Sequence, residues 1–201
     1  MKTTVPRFRV PMTEEQTDDL LTASYMAEVE FRHRKYVNDE ETKKNISRFA
    51  KYLTSENKKF GVMFCGICGN GKTTLLYAFQ SVVNLLNKNG AFEDKKTGVR
   101  IVDAKELAQY AKDLIQFRDL KDCPIIAIDD MGREAAEVLD FGNVLNPMID
   151  LIEYRYNLQL FTIITTNLTG EQVREKYGGR IADRFNEMLE VIIFRNTTYR
   201  K

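Results

Sequence analysis

The sequence predicts an α/β protein with a mainly parallel sheet and a phosphate-binding loop, and three observations carry that expectation. Gly66-Ile67-Cys68-Gly69-Asn70-Gly71-Lys72-Thr73 matches the pattern G-x-x-x-x-G-K-[ST] at every fixed position. An apolar run of strand length, residues 60–65, precedes it, and residues 74–86 follow with apolar side chains at helical spacing. Farther along, buried-type strands alternate with helical patterns, which implies parallel strands with helices on both faces. Ligands of such sheets sit at the carboxyl ends of strands, where this loop lies.

The residue types explain the loop. Gly66, Gly69 and Gly71 lack a Cβ, so the chain can turn sharply and aim N–H groups inward. A helix starting near Gly71 adds about half a positive charge at its N-terminus. Lys72 is expected to reach the β- and γ-phosphates of ATP, and the Thr73 hydroxyl to hold Mg²⁺. Asn70 and Thr74 complete the nucleotide-binding stretch.

Composition sets the frame. The chain has 201 residues, enough for one α/β domain and a short extension. Its 43% hydrophobic and 29% charged residues are ordinary for a soluble protein. A formal charge of +1 favours no partner, so any basic patch must be local. No stretch is apolar enough to span a bilayer, and Met-Lys-Thr-Thr-Val-Pro lacks a signal-peptide core. The expectation is a cytoplasmic protein with no membrane partner. Three cysteines, an odd number, fit a reducing compartment. Cys65 and Cys68 form a C-x-x-C, but zinc takes four ligands and only Cys123 and His33 remain, far away in sequence. Cys65 reads as a buried strand residue and Cys68 as a loop residue. The competing reading is a redox pair whose oxidation closes the nucleotide site.

Along the chain, residues 1–12 read as an extended arm with Pro6 and Pro11. Thr13 offers a cap, with Gln16 at the capping-box position, for a helix reaching about Tyr36. Its stripe is Leu20, Leu21, Ser24, Met26, Val29 and Phe31. A second helix over 40–53 buries Ile46, Phe49, Ala50 and Leu53. Both helices are expected to dock on the core, the first alternatively in a partner's groove. Residues 87–98 are a loop and 99–102 a strand. Asp103 caps a helix to about Phe117 with Leu107, Tyr110, Ala111 and Leu114 buried. Residues 123–128 and 160–165 are unbroken apolar strands, the kind covered on both faces. Residues 134–156 read as mostly helical, broken or kinked at Gly142 and Pro147. Short helices at 170–177 and 180–188 precede a last strand at 189–195.

A second group of residues follows the later strands. Ile125-Ile-Ala-Ile-Asp129-Asp130 is four apolar residues and two carboxylates, the Walker B arrangement. Asp129 is expected beside Mg²⁺, since a hard cation prefers oxygen, and Asp130 to polarise the attacking water. Many such ATPases have Glu there, one methylene longer, and Glu134 is a substitute candidate. Asn167, after Thr165-Thr166, is placed to orient water near the γ-phosphate. Arg180 and Arg184 stand four residues apart on one helix face, and Asp183 cannot cover both. An arginine finger reaching a neighbouring subunit's site is the functional reading, worth on the order of 10³–10⁵ in rate. Arg200 is a further phosphate contact.

GICGNGKTT, IIAIDDMGRE, TIITTN and YGGRIADRF, in this order and spacing, resemble the AAA+ ATPases of the DnaC/DnaI helicase-loader and IstB transposition-helper group. The resemblance covers roughly residues 45–201. It implies a P-loop NTPase core with a five-stranded sheet of order 5-1-4-3-2, helices on both faces and no helical lid. It makes Lys72 and Thr73 the Walker A pair, Asp129 and Asp130 the Walker B pair, and Asn167 sensor 1. It makes Arg184 the arginine finger, with Arg180 in the same box, and Tyr199-Arg200 the sensor 2 position. It also implies single-stranded DNA binding and a homo-oligomer when ATP is bound. Loaders carry a separate helicase-binding domain in front, in some cases with zinc. Here residues 1–45, an arm and helices without a metal cluster, are a candidate partner-binding extension to the ATPase domain at 46–201.

The leading function is therefore an Mg²⁺-dependent ATPase of DNA replication that loads or remodels a protein on single-stranded DNA, with a replicative helicase as partner. The alternative is an IstB-like ATPase assisting a transposase. A small-molecule phosphotransferase shares the loop but leaves Asn167 and Arg184 without a role, and an ATP-binding switch without turnover fits Asp130 in place of Glu. Basic candidates for DNA contact are Arg32, Arg34, Lys35, Lys95 and Lys96.

Overall fold

A computed structural model describes residues 6–56, 58–93, 97–135, 137–140 and 143–199. Residues 6–10 belong to no helix or strand, and residues 1–5 of the expected arm lie outside the described residues. The Val10 amide donates to the Leu53 carbonyl at 3.2 Å, and the Phe8 ring meets Phe79 edge-on. Helix α1 (Glu14–Phe31) starts on the expected capping box of Thr13 and Gln16. It stops five residues before Tyr36, because Arg32 leaves the helix and His33 takes a left-handed φ of 54°. Its buried stripe is Thr17, Leu21 and Tyr25, while Met26 and Phe31 of the expected stripe are exposed. Helix α2 (Glu40–Thr54), capped by Asp39, buries Ile46, Phe49, Ala50 and Leu53 as expected. Strand β1 (Gly61–Gly66) leads through the glycine loop into α3 (Lys72–Lys88). Helix α1 packs on both α2 and α3.

After β2 (Val99–Asp103) the chain departs from the expected single helix. A 3-10 turn, Ala104–Glu106, and α4 (Leu107–Ala111) end early, and α5 (Leu114–Asp122) begins afresh. The break lies at Asp113, whose carboxylate caps α5 by accepting from the Ile115 and Gln116 amides, both at 3.0 Å. Leu114, expected inside, is 83% exposed, and Phe117 and Leu120 are buried instead.

Strand β3 (Ile125–Met131) is followed by two short antiparallel strands, β4 (Val138–Asp140) and β5 (Asn143–Leu145), where a helix was expected. Gly142 lies outside the described residues. Pro147 does not kink a helix but starts one, α6 (Pro147–Leu158), a position where its missing N–H costs nothing. The chain ends its core with β6 (Phe161–Thr166), α7 (Gly170–Tyr177), α8 (Gly179–Met188) and β7 (Leu189–Phe194).

Five strands form one sheet in the order β2-β3-β6-β1-β7, and β4 and β5 form a separate pair. Numbering only the five sheet strands along the chain, this is the order 5-1-4-3-2. Strands β3 and β6 pair in parallel. All six residues of β6 and Ile125–Ile128 of β3 are buried on alternating sides, so both faces of these strands are covered. The chain divides into two compact units. One comprises Met1–Lys58, Phe64–Val99 and Ile192–Lys201, the other Lys59–Met63 and Arg100–Val191.

Candidate nucleotide site

In the first unit the glycine loop forms a closed cradle. Gly69 and Gly71 have φ of 81° and 96°, a region that L side chains rarely adopt. Gly71 is doubly required, since a Cβ there would fall 2.3 Å from the Tyr25 hydroxyl oxygen. The Lys72 side chain turns inward, and the residue is 4% exposed. Its Nζ donates to the Gly66 and Ile67 carbonyls at 2.8 and 2.7 Å and to Asn70 Oδ1 at 3.0 Å. Helix α3 opens with Lys72, Thr73 and Thr74, behind an N-cap glycine with no side chain to offer. First-turn amides of such a helix suit an anion. Cradle, ammonium and helix start are a donor set that fits a nucleotide's phosphates.

The chain after β7 is tied to this loop. Asn70 Nδ2 donates to the Phe194 carbonyl at 3.0 Å, and the Tyr199 amide to the Gly69 carbonyl at 2.9 Å. The Tyr199 hydroxyl donates to Asp39 Oδ2 at 2.5 Å and lies 2.9 Å from the Thr42 hydroxyl. Asn196 Nδ2 reaches Asp39 Oδ1 at 3.0 Å. Burial alone would raise the Asp39 pKa, but the bonds from Tyr199 and Thr42 outweigh it and hold it below the ordinary carboxylate value. Burial, then the Asp39 bond, raises the Tyr199 pKa. Arg200, expected at the sensor 2 position, lies outside the described residues. Tyr25, Asp39 and Asn196 lie outside the four sequence motifs. A cap signal before α2 was legible at Asp39, but nothing local marks its distant partners.

The C-x-x-C forms no disulfide, and Cys65 is half-buried while Cys68 is exposed. Burial pushes the Cys65 pKa up to about 11, against a smaller opposing pull from Lys72.

In the second unit the two carboxylates sit on a β-bulge. The β3–β6 register runs Ile128↔Ile164 and then Met131↔Thr166, so three steps on β3 face two on β6. Asp130 adopts a left-handed φ of 57°, a strain on the order of 1–2 kcal/mol for an L residue. Thr165 Oγ1 donates to Asp129 Oδ1 at 2.6 Å and accepts the Asp130 amide at 2.8 Å. Thr166 Oγ1 donates to the Met131 carbonyl at 2.8 Å and accepts the Leu168 amide. The half-buried Asp129 carboxylate, oriented by a hydroxyl, is a fitting oxygen ligand for Mg²⁺. Asp130 Oδ2 is instead engaged by Arg133 Nη1 at 2.6 Å. Glu134 is no substitute, because it is 7% exposed and committed elsewhere. It accepts the Tyr177 hydroxyl and the Gly132 amide and pairs with Lys176 at 3.3 Å. Asn167 emerges exposed after β6.

Arg184 lies on α8 against its own chain. Nη1 is 2.5 Å from Glu153 Oε1, an ion pair without hydrogen-bond alignment, and the guanidinium covers the Tyr156 ring at 5.0 Å. Its side chain is 13% exposed. Arg180 shares Glu153 at 3.2 Å but is 74% exposed. Asp183 covers neither, since it pairs with Arg174 at 2.9 Å. Of the basic candidates, Arg34 and Lys35 are exposed, Arg32 pairs with Glu28 at 2.8 Å, and Lys95 and Lys96 lie outside the described residues. No helix among the described residues is long and apolar enough to cross a membrane.

A sheet of this order with this loop is an α/β fold of the P-loop kind. Solved structures with a similar fold include replication proteins. The crystal structure of the DnaC helicase loader matches with a TM-score of 0.59 at 22% identity, over 80% of this chain and 93% of that one. DnaI matches at 0.59 and 23% identity, over 82% of this chain and 87% of that one. AMPPCP-bound DnaA from Aquifex aeolicus matches at 0.54 and 19% identity, over 78% of this chain and 48% of that one. No family model matches the sequence, and no curated protein matches it. The five-stranded α/β fold expected from the four motifs, with its strand order, is thus the fold observed.

Proposed function

We propose that this chain is an ATP-dependent replication accessory protein that loads or remodels a protein on single-stranded DNA. The observation that carries the reading is Lys72, a buried ammonium held inside a glycine cradle at a helix start. Its acceptors are two loop carbonyls and Asn70, which phosphate oxygens would replace. Gly66, Gly69, Asn70, Gly71, Thr73 and Thr74 supply the rest of the phosphate contacts, with Arg200 from the chain's end. Thr73 and Asp129 hold Mg²⁺, which would offset charge on the phosphoryl oxygens. Asp130 polarises water, Asn167 orients it, and Arg184, leaving Glu153, completes the site of a neighbouring copy. Residues 1–45 serve the protein partner, a reading supported by the exposure of Phe31 and Val37 in and after α1. Arg34 and Lys35 contribute phosphate contacts to DNA.

Fluorescent ATP binding and phosphate release test this together. Binding is expected in wild type and lost in Lys72→Ala. Hydrolysis per subunit is expected to rise with protein concentration and with single-stranded DNA. Arg184→Ala should keep binding and lose hydrolysis, and loss of both would assign Arg184 a structural role. Absence of binding in wild type overturns the proposal.

A further inference from the structure

We infer that Thr165 is the positioning residue of the carboxylate pair, setting Asp129 for its cation and Asp130 for its water through a single hydroxyl. This rests on the reading of Asp129 as an Mg²⁺ ligand. A hydroxyl has one proton to give and two lone pairs to receive. Thr165 gives its proton to Asp129 Oδ1 at 2.6 Å and receives the Asp130 N–H at 2.8 Å, so its rotor is fixed by both neighbours. The residue is 0% exposed, so bulk water does not compete.

The bulge explains why that hydroxyl is needed. Two β3 residues, Asp129 and Asp130, face one of β6, Thr165, between the pairs Ile128↔Ile164 and Met131↔Thr166, and Asp130 turns left-handed within the extra step. Thr165 takes up the Asp130 amide there, and Thr166 secures the far side through the Met131 carbonyl. Two successive threonines of β6 thus hold both carboxylate-bearing residues in place, one residue before Asn167. A shift at the end of β6 moves the carboxylates with it. Outer partners of metal ligands act in this way, by fixing the ligand's orientation rather than touching the ion.

Valine is the informative replacement. It keeps the β-branched shape that a strand favours and removes only the hydrogen bonds. Full-length wild type, Thr165→Val and Thr165→Ser are titrated with a fluorescent ATP analogue, in EDTA and across Mg²⁺ concentrations. Thr165→Val is expected to bind as wild type in EDTA but to need about 10- to 100-fold more Mg²⁺ for the same tightening. Thr165→Ser, which retains the hydroxyl, is expected to restore the wild-type requirement. Wild-type Mg²⁺ dependence in Thr165→Val overturns the inference. If Thr165→Val does not fold, Thr165→Cys replaces it. Its weaker thiol donor should leave a requirement above that of Thr165→Ser, and equality of the two overturns the inference. A wild type whose nucleotide binding ignores Mg²⁺ instead overturns the assignment of Asp129, and this inference with it. That failure is recognisable because all variants then coincide at every Mg²⁺ concentration.

Discussion

Arg133 Nη1 stands 2.6 Å from Asp130 Oδ2, so the carboxylate proposed to polarise water is held by a guanidinium three residues along its own turn. The arginine is half exposed, which keeps the pair modest in strength and open to competition. Arg133→Gln is expected to raise phosphate release about two- to fivefold, the scale of a pair worth up to roughly 1 kcal/mol. Nucleotide affinity should stay unchanged. A fall in rate would instead place Arg133 among the groups that stabilise the reaction.

Arg155 presents a different case, a guanidinium with 0% exposure whose hydrogen-bond acceptors are all neutral. It donates to Thr162 Oγ1 and to the carbonyls of Lys121, Cys123 and Phe161, at 2.7 to 2.9 Å. Burial lowers its pKa to about 10, which still leaves it charged at neutral pH. Four acceptors lose their donor in Arg155→Met, and urea unfolding is expected to show a loss of roughly 3 kcal/mol. Arg155→Lys should not restore stability, because an ammonium cannot reproduce the planar fork.

Acid should act on the Asp39 cluster. Because Asp39 has a folded pKa below its unfolded value, its contribution is present above the unfolded value and is lost as pH falls through the lower folded one. Melting temperature followed from pH 6 downward should therefore fall more steeply below about pH 4 in wild type than in Asp39→Asn. Parallel curves would show that the Tyr199 and Thr42 bonds do not favour the charged form.

The two loop cysteines should differ in reactivity. With a pKa near 11, Cys65 has about one thiolate in a thousand at pH 8, while Cys68 is exposed. Iodoacetamide should label Cys68 first by mass spectrometry, and diamide should leave ATP binding unchanged. Reduced binding after diamide would revive the redox reading of the pair.

Where the sequence was legible, a local rule sufficed. Thr13 with Gln16 started α1, the glycine pattern joined β1 to α3, and unbroken apolar runs gave β3 and β6. It misled where two local rules competed. Leu114 fitted a helical stripe, yet Asp113 before it was the stronger cap and turned it outward. Pro147 read as a breaker although it stood where a helix begins. Long-range partners left no local trace. Nothing near Asp39 points to Tyr199, 160 positions later, and nothing in Thr165-Thr166 announces that both hydroxyls serve the opposite strand.

Gly71 has room for no methyl group because a phenol from α1 rests against it. Whatever tugs or presses on that helix is therefore felt at the nucleotide cradle, and a change in the cradle is felt at the helix. The front of the chain is in this sense a handle rather than a tether. Trimming it away would open a hole beside the left-handed turn at Gly71.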